Sequence, residues 1–240
     1  MVRPHHEDPP IPDSVTPKSL DRVARNELKT LTVENQEFVA RHLAMAAQLI
    51  DEDPELAHRH ALSASRRGGR IGIVRETLGI TAYATGDFAL ALRELRTYRR
   101  LTGRDDQLPM MVDSERGLGR PDRALELGRS VPRASLPVPV QVELAIAMSG
   151  ARLDLGQPER ALEELQIPQL DPTTAYSWSA PLFSAYATVL EDLGRTDEAA
   201  QWLRRADLAA EAFEQDDADD DVIEIVEEEV EEGDDGRAHF

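Results

Sequence analysis

The side chains able to do chemistry in this chain are a few histidines, a run of arginines, scattered carboxylates and an acidic tail. No cysteine occurs among the 240 residues, so thiol catalysis, disulfides and cysteine-ligated metals are excluded. The histidines make poor chelates. His5 and His6 are adjacent within a proline-rich segment, and His58 and His60, two apart, leave a helix on different sides. No His-Glu-x-x-His motif is present, and Gly68-Gly69-Arg70-Ile71-Gly72 lacks the lysine and the strand-to-helix setting of a phosphate loop. Ser149 and Ser184 have no adjacent histidine to activate them, and the carboxylates spread over helix faces rather than pairing. The expectation is no catalytic residue, no metal and no cofactor, hence no enzyme.

Charge is more informative. The formal net charge is −19, and the positive residues are arginines apart from Lys18 and Lys29, a bias that looks like a GC-rich bacterial genome. Between Arg59 and Arg133, 15 arginines meet nine acids, a local balance of +6. Arg93, Arg96, Arg99, Arg100 and Arg104 gather near the end of one helix, where cations also suit the helix C-terminus. Such a face either grips phosphates and carboxylates in fork geometry or is an ordinary solvated surface. From Glu214 onward the sign reverses, with 14 acids, one arginine and a balance of −13. Val222, Ile223, Ile225 and Val226 interrupt that block, making a recognition segment able to order as a strand or short helix on a partner. The sharpest expectation is that the tail folds back over the arginine-rich region and competes with an anionic ligand; the plain alternative is a solubilising tail.

These groups need elements to position them. Val74 to Gly103 reads as a helix, a tight turn at Thr85-Gly86-Asp87 and a second helix, with Leu78-Gly79, Phe88 and Ala91 where the two must touch. The turn recurs at Leu118-Gly119-Arg120-Pro121, Leu155-Gly156-Gln157-Pro158 and Leu193-Gly194-Arg195-Thr196, with a degenerate version at Glu52-Asp53-Pro54. The second-helix alanines fall at Ala57, Ala91, Ala124, Ala161 and Ala199, spacings of 34, 33, 37 and 38. Helix-turn-helix units of this period resemble tetratricopeptide repeats. The resemblance covers about Thr32 to Phe213, although only Leu78-Gly79 keeps the family's Leu-Gly pair and most repeats lack its proline after the second helix. It implies an all-α, right-handed superhelical solenoid of about five helix pairs with disordered termini. Residues 1–17 would be a disordered or extended proline-rich tail. Residues 18–213 would be the repeats, led by a capping helix that Ser19 or Asp21 starts. Residues 214–240 would be the disordered acidic tail. The two wider spacings place longer links at Ser130 to Pro139 and Ile167 to Thr173.

In that register the first helices present His42, Glu76, Tyr83, Asp113, Arg116, Glu143, Asp154, Ser184, Thr188 and Glu191 to a groove. The set lacks the lysine-and-asparagine clamp with which some tetratricopeptide domains hold peptide carboxylates, and it suits a basic or mixed peptide instead. Trp202 reads as packing, and Trp178, in the link to the last repeat, as packing or a ligand platform. The resemblance implies a non-catalytic protein-interaction scaffold or adaptor whose acidic tail modulates access. The alternatives are a nucleic-acid-associated regulator, with the arginines as the binding face and the tail as a phosphate mimic, and an assembly chaperone for a basic protein. No apolar run approaches 18 residues and no signal core precedes the repeats, so a cytoplasmic location is expected.

Overall fold

A residue with a left-handed backbone ends a helix cheaply only if it lacks a side chain. In the computed structural model, which describes residues 7–215 and 222–224, Gly86 has φ +77°. The N–H groups of Gly86 and Asp87 bond back to the carbonyls of Tyr83 and Ala82, at 2.9 Å each. They close α4, Gly72–Ala84. The Asp87 carboxylate then accepts from Leu90 N–H at 3.0 Å and starts α5, Phe88–Thr102. Gly119, Gly156 and Gly194 repeat the left-handed turn, and Pro121 and Pro158 open the helices that follow.

The described residues are all-α in class. Besides α4 and α5 the helices are α1 (Arg22–Glu27), α2 (Val33–Leu49), α3 (Pro54–Gly68), α6 (Leu108–Gly117), α7 (Pro121–Gly128), α8 (Val138–Asp154), α9 (Pro158–Leu165), α10 (Ser179–Asp192) and α11 (Thr196–Gln215). Three short 3-10 turns, Pro17–Ser19, Leu28–Thr30 and Arg133–Ser135, and two three-residue strands, β1 (Thr174–Tyr176) and β2 (Val222–Glu224), complete the set. The chain divides into two compact units, residues 1–164 and 165–240.

In the first unit helices pack in chain order, α2 on α3, α3 on α4, α4 on α5 and so on to α8; in addition α2 touches α4, α4 touches α6 and α6 touches α8. The sequence pattern explains this. Along α5 the buried apolar residues are Ala91, Leu92, Leu95 and Tyr98, one stripe of a helix with 3.6 residues per turn. Each fully buried leucine in such a stripe contributes about 1.5–3 kcal/mol relative to exposure. Small residues set the approach: a Cβ on Gly79 would lie 2.6 Å from Leu95 Cδ2 and 2.7 Å from its Cγ. Gly79→Val is therefore expected to destabilise by about 2–3 kcal/mol through overpacking, although valine is the better helix former. Urea unfolding measures this, and an unchanged midpoint would show that the α4–α5 crossing yields.

The N-terminal segment, expected to be disordered or extended through Pro17, is irregular backbone from Glu7 to Thr16. From Glu7 it runs against α2, with Val15 only 7% exposed and Ile11 packed on the same core as Leu28, Val39 and Leu43. Arg41 pins it, donating from Nε to the Val15 carbonyl at 2.8 Å and from Nη2 to that of Pro12 at 3.2 Å. Prolines cannot enter a helix here, but their carbonyls remain acceptors, and one arginine on the neighbouring helix bonds two carbonyls of the segment. The capping helix, expected over residues 18–31, is α1, Arg22–Glu27, and Asp21 starts it, accepting from Val23 N–H at 2.6 Å. His5 and His6 lie outside the described residues.

In the second unit α10 packs on α11, around Ala175, Phe183, Ala206 and Ala209. Trp202 is packing: its ring lies 5.2 Å from Phe183 and 4.9 Å from Tyr186. β1 occupies the end of the long link before α10 and pairs antiparallel with β2, Ala175 opposite Ile223. The expected recognition segment thus reaches a strand within its own chain through Val222 and Ile223, while Ile225 and Val226 lie outside the described residues. Among the described residues no helix is long and apolar enough to cross a membrane.

Candidate functional site

The first helices α4, α6 and α8 carry a polar chain that crosses all three. Tyr83 on α4 donates its hydroxyl to Asp113 Oδ2 on α6. One turn on, Arg116 donates from Nη1 to Asp113 Oδ1 at 2.5 Å. Its other edge reaches Asp154 at the end of α8, from Nε to Oδ2 at 2.8 Å and from Nη2 to Oδ1 at 3.3 Å. That second contact is the two-pronged fork a guanidinium makes with a carboxylate. Gly150 makes the reach open: a Cβ there would lie 2.3 Å from the Arg116 guanidinium carbon. Burial alone would depress the Arg116 pKa, but its bonds to Asp154 and Asp113 outweigh that and raise it. Burial and the bond to Asp113 push the Tyr83 hydroxyl up to about 12, so it stays a donor at neutral pH.

Two open hollows flank this chain. One, about 310 Å³, has Tyr83, Asp113, Arg116 and Glu143 at its rim and Pro109, Met110, Ile146 and Ala147 as its apolar lining. The other, about 560 Å³, lies towards Gly117, Gly119, Pro121 and Asp154, with Asp113 and Arg116 again in its wall. Glu143 stands exposed at the rim of the first with no ion pair among the described residues, and loss of hydration in the hollow raises its carboxyl pKa. The three carboxylates Asp113, Glu143 and Asp154 against one guanidinium leave the groove acidic.

Five of the sequence-derived groove residues therefore meet: Tyr83, Asp113, Arg116, Glu143 and Asp154. Glu76 lies on α4 near them but serves another cluster, accepting from Gln107 Nε2 at 2.9 Å, its carboxyl raised by burial against that bond. His42 does not face this groove. It is 2% exposed, turned into the α2–α3 interface with its Nδ1 2.8 Å from that of His60. It sits one turn after Phe38, whose ring it contacts at 4.3 Å, on the packed side of α2. Ser184, Thr188 and Glu191 belong to α10 of the second unit. Sequence reasoning missed Pro109, Met110 and Ile146. The signal was there, since Met110 precedes Asp113 by three residues and Ile146 follows Glu143 by three, which puts each pair on one helix face.

The arginine face is largely neutralised by its own chain. Arg93 meets Glu94 at 2.9 Å, Arg96 meets Glu115 at 2.8 Å, Arg99 meets Asp105 at 2.5 Å and Arg104 pairs with Asp106. Glu94 and Glu115 are buried, so Arg93 and Arg96 balance carboxylates that water does not reach. Arg100 is exposed. Among the described residues no group of three or more histidines and carboxylates is placed to hold a metal. No protein-family model matches the chain, and no curated protein matches its sequence.

Proposed function

We propose that the chain is a non-catalytic protein-interaction module of the tetratricopeptide type, a right-handed superhelical array of helix pairs whose groove over α4, α6 and α8 receives an extended peptide. One observation carries this reading: a fixed polar chain, Tyr83–Asp113–Arg116–Asp154, beside an apolar hollow lined also by the carboxylate of Glu143, which has no ion pair among the described residues. The peptide that fits places an apolar side chain over Met110 and Ile146 and a lysine or arginine next to it, within reach of Glu143. Asp113 and Asp154 are already held by Arg116, so they orient the groove while Glu143 makes the new contact. The repeat spacing and the left-handed glycine turns support the family reading, and the acidic tail modulates access.

The nucleic-acid reading is weaker, because four of the five arginines on its face have carboxylate partners. The test is a binding screen of the full-length protein against a library of mixed basic–apolar peptides and a control set of acidic ones. Selected peptides should carry a cation beside an apolar residue, and Glu143→Gln should weaken them about fivefold, the upper range of one partly exposed ion pair. Equal loss on Arg100→Ala, or selection of acidic peptides, would overturn the groove assignment.

A further inference from the structure

We infer that β1 is a strand-accepting edge, that β2 occupies it as a ligand built into the chain, and that an extended β-branched, acid-flanked segment of a partner protein takes the same place when β2 leaves. The inference does not depend on the groove.

The first support is that β1 is held in shape by contacts other than β2. At its entry Asp171 Oδ1 accepts from Thr173 N–H at 2.9 Å and from the Thr173 hydroxyl at 2.7 Å, a side-chain turn that starts the extended run. At its exit Ser179 Oγ accepts from Tyr176 N–H at 2.9 Å. The Tyr176 and Trp178 rings stack at 4.5 Å and 7°. In the middle Ala175 is fully buried, in the core with Phe183, Ala206 and Ala209. A short strand fixed at both ends and in its centre still has backbone groups to satisfy, and such an edge is a template for another strand.

The second support is the occupant. Thr174, Ala175 and Tyr176 stand opposite Glu224, Ile223 and Val222. These come from a stretch whose composition, Asp221-Val222-Ile223-Glu224-Ile225-Val226-Glu227, suits a strand at its β-branched positions and water at its acids. Elsewhere among the described residues the chain is helical or looped, so the one strand partner β1 has is this segment. Strand addition supplies affinity through backbone bonds and leaves side chains to specify the partner.

The third support is energetic. A two-stranded ribbon is marginal in water, and this one is three residues long. Six residues, five of them aspartate, separate the end of α11 from β2. A tether that short holds the segment at about millimolar effective concentration, enough to keep a weak pair closed and low enough for a longer strand to displace it. The same arithmetic disfavours exchange of β2 between two copies, which would need millimolar protein.

The test uses full-length protein and a labelled synthetic peptide with the sequence of residues 220–228, DDVIEIVEE. Replacing Val222, Ile223 and Glu224 together by glycine uncovers β1 without touching either helix of the unit. If β2 covers β1 in about nine molecules of ten, the peptide binds the glycine variant about tenfold more tightly than wild type. A peptide carrying Ile223→Pro binds neither. Hydrogen exchange then localises the event: the amide of Ala175, whose neighbour Tyr176 donates to Ser179 instead, loses protection in the variant and regains it with peptide. Equal affinity for the two proteins, no binding to the variant, or binding that leaves the Ala175 amide unprotected would overturn the inference.

Discussion

Arg75→Met is expected to lower the thermal midpoint of the chain by about 6–12 °C, close to 3 kcal/mol for a protein of this size. The reason lies in Glu94, a carboxylate only 3% exposed on α5. Arg75 on α4 bonds one of its oxygens, and Arg93 meets the other at 2.9 Å. Arg75 is itself anchored, donating from Nε to the Gly69 carbonyl at 2.6 Å. Its loss leaves a buried charge with one largely exposed counter-ion. The double change Arg75→Met with Glu94→Leu should recover most of the loss, because the cost comes from stranding a charge rather than from losing an attraction. A double variant as unstable as the single one would show instead that the pair contributes packing. Differential scanning calorimetry of the three proteins decides between these outcomes.

The second large effect is with pH. Burial, and then the nearby His60, lower the His42 pKa from 6.5 to about 4. His60 and His58 shift the same way, burial being the main cause for each. A histidine kept neutral in the fold but free to charge when unfolded makes the unfolded state the better proton binder. The stability it confers is complete above pH 6.5 and is lost as pH falls towards 4, about 3 kcal/mol for His42 alone. Asp21, Asp171 and Glu198 have lowered carboxyl pKa values, and their contribution disappears only below about pH 4, in a separate window. Glu76 and Glu143, with raised pKa values, gain stability on acidification and offset part of the loss. Urea midpoints at pH 7, 6, 5 and 4.5 should fall progressively, and in His42→Phe the fall should shrink by about half. The Asp8 carboxylate acts on His42 in the opposite sense, and a flat profile between pH 7 and 5 would mean that it supports the charged imidazole in the fold.

Local punctuation made the helix pairs legible. Gly86 and Asp87 declare a turn and a cap side by side, so residue types alone bound α4 and α5, and the link between Ser130 and Pro139 duly holds one short 3-10 turn, Arg133–Ser135. What escaped was non-local. The bond from Arg41 to Val15 spans 26 residues, and no composition rule foretells that a proline-rich segment will lie under an arginine. His42 and His60 are separated by 18 residues and a turn; the repeat register turns His42 to the groove, whereas its ring is buried against that of His60. Of the site, the polar members were legible and the apolar lining was not, since Met110 and Ile146 look like core residues until the hollow beside them is seen. The strand at Thr174 has almost no signal of its own, because its shape comes from Asp171 and Ser179 on either side.

Arg116 belongs to the walls of both hollows at once. Filling either one in a way that tugs on Asp113 or Asp154 changes the hold on the same guanidinium and so remodels the other. Any occupant that changes the hold on this guanidinium, which lies across Gly150, reshapes the wall of the other hollow, and by linkage such a coupling would act equally in both directions.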